Sequence, residues 1–377
     1  VYKRQILFLF NQSLFGGSWM FISVEPKGFA YVFILFAMYY YTVGRFKAML
    51  IYLILASYFH VLVGAYAFIF IIASLLLFGE SEHRVKYLKF LGVYFICLLP
   101  FIFYLKAAVV NSVDSSPSAD WIYSYFRHPH HIGLFKSLSY FYSKHFYGVL
   151  LSIFALIFSV YFLKVNTIEK LARLNHFILL SLIGVLIWVV IAFFDTEGVL
   201  IKYYPFRVNT LTTFLLTLLF AHFLFAAIRQ KYVGIFQLMV VCVSLVFVLK
   251  LSKPTLENIY SYLFENAQAE LNDIGNYIKE NTEKDAVVLS FDSELSINRK
   301  MERDRFAVYK FIPADMNKIP EWYERVEFKK NLQSNFNLIT EKKDSYQIDY
   351  LLSTRNINSK YLELQYSNSM YYLFKIK

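Results

Sequence analysis

The stretch AMLIYLILASYFHVLVGAYAFIFIIASLLLF, Ala48 to Phe78, decides how this chain folds. It runs for 31 residues without a Lys, Arg, Asp or Glu, and His60 sits in its middle. As one helix it would be about 46 Å long, against a hydrocarbon core of about 30 Å. A single long tilted helix and two short helices meeting near His60 both fit that length. The flanks choose between them. Gly44-Arg45-Phe46-Lys47 and Glu80–Lys89 (ESEHRVKYLK) are short links carrying Arg and Lys, and such links stay on the cytoplasmic side. Both ends of the run are then on one side, so the chain turns back with His60 near the outer tip.

Further spans are predicted over Phe29–Val43, Phe90–Leu105, Phe146–Phe162, Phe177–Phe194, Thr210–Ile228 and Val233–Leu249. That makes about seven spans plus a short helix at 48–59. Ile6 to Val24 reads as the end of a span or an interfacial segment. Lys164–Arg173 and Arg229-Gln230-Lys231 are further inner links. Parity then puts the loops Asn111–Lys144 and Asp195–Asn209, and everything after residue 251, on the outer side. The chain begins at Val1 rather than Met, so it is expected to lack its natural start and some upstream helices.

Charge separates the two halves. Residues 1–251 hold 20 Lys and Arg against 8 Asp and Glu, and residues 252–377 hold 18 against 19. The basic excess belongs to the apolar half, where it reads as membrane orientation and anionic-lipid contact and not as nucleic-acid binding. Cys97 and Cys242 lie in apolar runs as packing residues. The fold class is therefore a polytopic α-helical membrane domain, 1–251, followed by a small extracytoplasmic α/β (α+β) domain, 252–377. In that second domain Leu256–Glu280 and Ile319–Leu332 read as helices. Asp285–Phe291, Arg305–Ile312 and Tyr350–Ser353 read as strands. Tyr361–Tyr366 and Met370–Ile376 read as a hairpin turning at Asn368-Ser369.

Chemistry concentrates in RHPHHIG, Arg127 to Gly133. Pro129 forbids a regular helix there, so the side chains fan out from a loop. Arg127 offers a fork for phosphate, and His128, His130 and His131 can donate hydrogen bonds, move protons or ligate a metal. Three readings stay open: a lipid-phosphate or saccharide site, a metal site completed by other ligands, or interfacial histidines at headgroup level. Parity adds His60, Glu25, Asp195 and Arg207 to the same face, and ionisable groups gathered beside hydrocarbon mark a site by default. Glu25 and Asp195 are the candidate catalytic acids. Arg127, His128, His130, His131, His60 and Arg207 are the candidate phosphate or saccharide binders. No complete metal-ligand set is assigned, although a divalent metal as cofactor stays open, and oligomeric state is left open. No phosphate loop, dinucleotide fingerprint, zincin motif or serine elbow occurs. Trp322, Tyr323 and Arg325 read either as a sugar-stacking face or, more simply, as a helix packed on the sheet.

The layout, with tight inner links, outer loops and a C-terminal outer domain, resembles the GT-C superfamily of polyprenyl-phosphate-dependent glycosyltransferases. The junction YIKENTEKDAVVLSF (Tyr277–Phe291) is similar to the start of that superfamily's soluble domains. VEPKGFAY (Val24–Tyr31), FHVLVGAY (Phe59–Tyr66), FRHPHH (Phe126–His131), YYPFRVNTL (Tyr203–Leu211) and RDRFAVYKFIPADMNKIPEWYERV (Arg303–Val326) resemble a bacterial branch of the same architecture. The resemblance covers most of the chain. It implies a bacterial inner-membrane enzyme using a polyprenyl-phosphate sugar and membrane lipid as partners. The superfamily's main catalytic acid lies in the first outer loop, expected upstream of Val1. Two other functions fit the same residues: a non-enzymatic transporter or assembly factor for envelope glycans or lipids, and a metal-dependent membrane hydrolase.

Overall fold

The computed structural model describes residues 13–16, 20, 25–108, 115–165, 168–229, 234, 267–291 and 296–377. The chain divides into two units, Val1–Val110 with Tyr123–Leu256, and Asn111–Ile122 with Glu257–Lys377.

The first unit is helical. Helices α1 (Pro26–Thr42), α2 (Phe46–Phe59), α3 (Val61–Phe78) and α4 (Arg84–Ala108) lead to the histidine loop. A short α5 (Leu138–Lys144) follows, then α6 (Phe146–Val165), α7 (Glu169–Phe194) and α8 (Val208–Arg229). Among the described residues, five segments are long and apolar enough to cross a membrane: Val61–Phe78, Ser81–Phe103, Phe146–Val165, Glu169–Phe194 and Ile201–Phe223. The chain thus reads as an integral membrane protein. The expected count of seven is not reached among the described residues. Helix α1, with 17 residues, and α2, with 14, are about 26 and 21 Å long. The expected span Val233–Leu249, apart from Gly234, and most of Ile6–Val24 lie outside the described residues.

The 31-residue run is two helices. His60 is extended (φ −156°, ψ 98°) and ends α2 while opening α3. The helices meet closely because Gly64 has no side chain: a Cβ there would overlap the Ser57 hydroxyl and lie 2.6 Å from the Ser57 backbone nitrogen. Small residues allow such approach where lipid supplies no hydrophobic drive. Ser57 in turn bonds the Leu53 carbonyl at 2.9 Å and the Tyr94 hydroxyl of α4 at 2.6 Å.

The basic links gather at the opposite end. Arg173 Nη1 donates to the Thr42 carbonyl at 3.3 Å and lies 5.7 Å from the Phe46 ring, and Lys86 Nζ lies 5.8 Å from that ring. Gly44 is left-handed (φ 76°), and a Cβ on it would press on Arg173.

The second unit holds a five-stranded mixed sheet of order β2-β1-β3-β5-β4. Its strands are β1 (Val287–Ser290), β2 (Asp304–Arg305), β3 (Tyr350–Ser353), β4 (Leu362–Ser367) and β5 (Tyr372–Ile376). β1 runs parallel to β2 and β3, and β5 runs antiparallel to β3 and β4. Helix α9 (Ala267–Asn281) places Leu271, Ile274 and Ile278 on one stripe against Val288, Leu352 and Leu373. The first part of its expected range, residues 256–266, is outside the described residues. Arg303 caps α9 at its C-terminal end, donating to the carbonyls of Lys279 (2.7 Å) and Thr282 (2.8 Å). The hairpin turns at Asn368, whose side-chain oxygen accepts from the amides of Met370 and Tyr371 at 3.1 and 2.8 Å.

One expected strand is corrected. Arg305–Ile312 pairs only at its start, where the Phe306 amide reaches the Val288 carbonyl at 3.1 Å. Side chains of α11 (Ile319–Ser334) then take its carbonyls. Trp322 Nε1 donates to Val308 at 3.2 Å and Lys329 Nζ to Ala307 at 3.2 Å. Those two carbonyls are then satisfied by side chains instead of a neighbouring strand. Trp322 is buried and packs against the segment through its bond to Val308. Two short helices escaped the sequence reading, α10 (Ser296–Met301) and α12 (Ile339–Tyr346).

Candidate functional site

The chain RHPHHIG begins on a helical segment that widens to a π-helical turn over Ile122–Arg127 and stops there. The His128 carbonyl then collects the amides of His131 (3.0 Å), Ile132 (3.0 Å) and Gly133 (3.4 Å). Gly133 is needed by close approach, since a Cβ would come 2.6 Å from the Ser124 carbonyl. The loop packs on 195–207 through Ser124 Oγ to the Gly198 carbonyl (3.1 Å) and Tyr125 Oη to the Asp195 carbonyl (2.5 Å).

Tyr204 joins the two halves of the site. It is left-handed (φ 54°, ψ 52°), between 3-10 turns at Ile201–Tyr203 and Pro205–Arg207. A Tyr in this region is costly and is held there by its surroundings. Its hydroxyl meets His128 Nδ1 at 3.0 Å, and the Arg207 guanidinium lies 4.0 Å from its ring centroid. Arg207 Nη1 reaches His60 Nε2 at 2.7 Å. A guanidinium can only donate, so His60 Nε2 accepts and carries no proton. The His60 proton is therefore on Nδ1, near the residue's own carbonyl. That makes the 3.5 Å approach of the Val63 amide to Nδ1 a weak contact.

Four residues from three segments thus meet in a row, His60, Arg207, Tyr204 and His128. The His130 and His131 rings are 6.4 and 6.2 Å from His128 and 4.0 Å from each other. The charges of Arg127 and Arg207 both bear on His128. Burial first, then Arg127, and after it His131, His130 and Arg207, hold the His128 imidazole far below its usual range. His60 is pushed down to about 4 by burial and then by Arg207. His130 is lowered by burial and by Arg127. At neutral pH these rings are hydrogen-bonding groups without charge, and the arginines supply the positive field. Among the described residues no three His, Cys, Asp or Glu side chains cluster as metal ligands.

The two candidate acids part company. Glu25 precedes α1, pairs with Lys27 at 2.7 Å, and acts electrostatically on His60. Asp195 ends α7 and spends its carboxylate on the amides of Val199 (3.0 Å), Leu200 (2.8 Å) and Ile201 (2.9 Å). It shapes the loop that presents Tyr204. Asp195→Ala is expected to lose about 2 kcal/mol of stability, comparable to a lost helix cap, and to speed hydrogen exchange at 199–201. Asp195→Asn should keep most of the stability. A turnover loss of a hundredfold or more in Asp195→Asn, at unchanged melting temperature, would instead make it a reacting group.

Sequence reasoning missed Tyr204 and Lys27 as site residues. Aromatic composition marks an interfacial belt, and nothing in YYPFR signals which ring will carry the arginine.

Comparison with known proteins bears on the second unit. Residues 269–328 match a family described as Domain of unknown function (DUF6798). No curated protein matches the chain.

Proposed function

We propose that the chain is a membrane glycosyltransferase of GT-C type, moving a sugar from a polyprenyl-phosphate donor to an envelope lipid, glycan or protein at the outer face. The observation that carries this reading is Arg207, held between His60 and the Tyr204 ring, with Arg127 acting on the same His128. Two guanidinium groups among uncharged imidazoles, with Arg207 held by His60 and the Tyr204 ring, suit a phosphate whose charge grows as it leaves. Glu25, which pairs with Lys27 and acts electrostatically on His60, is the acid assigned to the acceptor. Its carboxylate takes the acceptor hydroxyl proton as that oxygen bonds the sugar's anomeric carbon. The bond from that carbon to phosphate oxygen breaks, and polyprenyl phosphate departs with the electron pair toward Arg207 and Arg127.

The commitment of Asp195 to three amides favours a second reading, a non-enzymatic carrier or assembly factor that binds the same lipid phosphate. One assay separates them. Full chain in nanodiscs is given polyprenyl-phosphate-linked sugar, and donor binding and sugar transfer are both measured. Glycosyl transfer predicts that Glu25→Gln keeps binding within about threefold and loses turnover by about a hundredfold. Binding with no consumption by the wild type supports the carrier, and turnover unchanged in Glu25→Gln removes Glu25 from the chemistry.

A further inference from the structure

The second unit has a concavity of about 370 Å³ between segment 303–313 and the first two turns of α11. That volume is at the lower end of small-ligand sites. Four cations, Arg303, Arg305, Lys318 and Arg325, line it against two acids, Asp304 and Glu321. Some of the wall is already spent on structure. Arg303 caps α9, and Trp322 holds the Val308 carbonyl. Arg325 differs. Its Nη2 bonds Glu321 at 2.6 Å, and its guanidinium lies 5.7 Å from the Phe306 ring and 5.6 Å from that of Tyr346. The rings hold the fork in place, which lowers the cost of ordering it on a ligand. Lys318 is exposed, and Phe311, 58% exposed, adds an apolar face.

We infer that this concavity binds a small anionic saccharide, a sugar carrying a carboxylate or phosphate. Arg325 and Lys318 take the anion, the Glu321 carboxylate accepts from ring hydroxyls, and Phe311 covers the C–H face of the ring. Every lining residue falls within 269–328, so the site belongs to the segment matched by the domain family. It is independent of the transfer reading, which rests on the helical unit.

Calorimetric titration of the full chain in detergent micelles tests it, with glucuronate, glucose 1-phosphate, glucose and inorganic phosphate as probes. The two anionic sugars should bind at least tenfold more tightly than glucose or phosphate. Lys318→Glu, at an exposed position, should weaken them about tenfold without moving the melting temperature, and Arg325→Gln should weaken them at least as much. Absence of saturable binding overturns the proposal. So does binding indifferent to Lys318→Glu, equal binding of inorganic phosphate, or binding abolished by Arg207→Ala instead.

Discussion

Arg207→Ala is expected to weaken donor binding by about a hundredfold, near 3 kcal/mol. The variant loses the donor to His60 Nε2 at 2.7 Å and the cation over the Tyr204 ring. It also loses the smaller of the two arginine charges acting on His128. Arg207→Lys should recover only part, because an ammonium neither stacks on the ring nor forks. Tyr204→Phe keeps the ring and should cost little, whereas Tyr204→Leu should approach Arg207→Ala. Acid gives a second readout. The folded value of His60, about 4, lies below the ordinary 6.5. Its neutral form therefore stabilises the fold fully above about pH 6.5, and that contribution is lost as pH falls toward 4. Removing Arg207 removes a cation that disfavours the imidazolium, so the fall in melting temperature between pH 6.5 and 4 should be shallower in Arg207→Ala. Donor affinity within threefold of wild type and an unchanged pH slope would show that Arg207 is only an interfacial anchor.

The parts of this site that could be read from sequence were those with few alternatives. A charge-free run of 31 residues bounded by two basic links has to be accommodated, and the turn at His60 follows from counting sides. Arg127, the histidines and Arg207 stand out because ionisable groups are rare beside apolar helices. Illegible were the features that exist only after packing. Tyr204 is left-handed because 3-10 turns on either side force it, with no glycine to announce the bend. Asp195 reads as a candidate acid, and Asp195-Thr196-Glu197-Gly198 is at the same time a turn signature, with Gly198 left-handed (φ 76°); the three amides on its carboxylate exist only in the fold. The strand expected at 305–312 failed for the same reason. Its run of aromatic and β-branched residues suits a strand, but the donors on α11 that claim its carbonyls are more than ten residues away in sequence.

The close approach of α2 and α3 is the point on which the geometry of His60 depends, and it gives the largest stability effect. Gly64→Ala adds one methyl group where the Ser57 backbone nitrogen and Cα would be 2.6 and 2.7 Å away. Backbone cannot rotate aside as a side-chain tip can, so the helices must separate. The cost is about 3 kcal/mol. In a melting experiment that is a fall of about 10 °C. The separation also strains the bond from Ser57 to Tyr94 and tilts His60 away from Arg207, so donor binding should weaken alongside stability. Gly92, in the middle of α4, is the control. A Cβ there meets nothing within 4 Å, and alanine is the better helix former by about 1 kcal/mol. Gly92→Ala should therefore melt at or above the wild-type temperature and bind donor normally. Equal melting of the two variants would mean that α2 and α3 do not meet at Gly64. The placement of His60 beside Arg207 would then need another support.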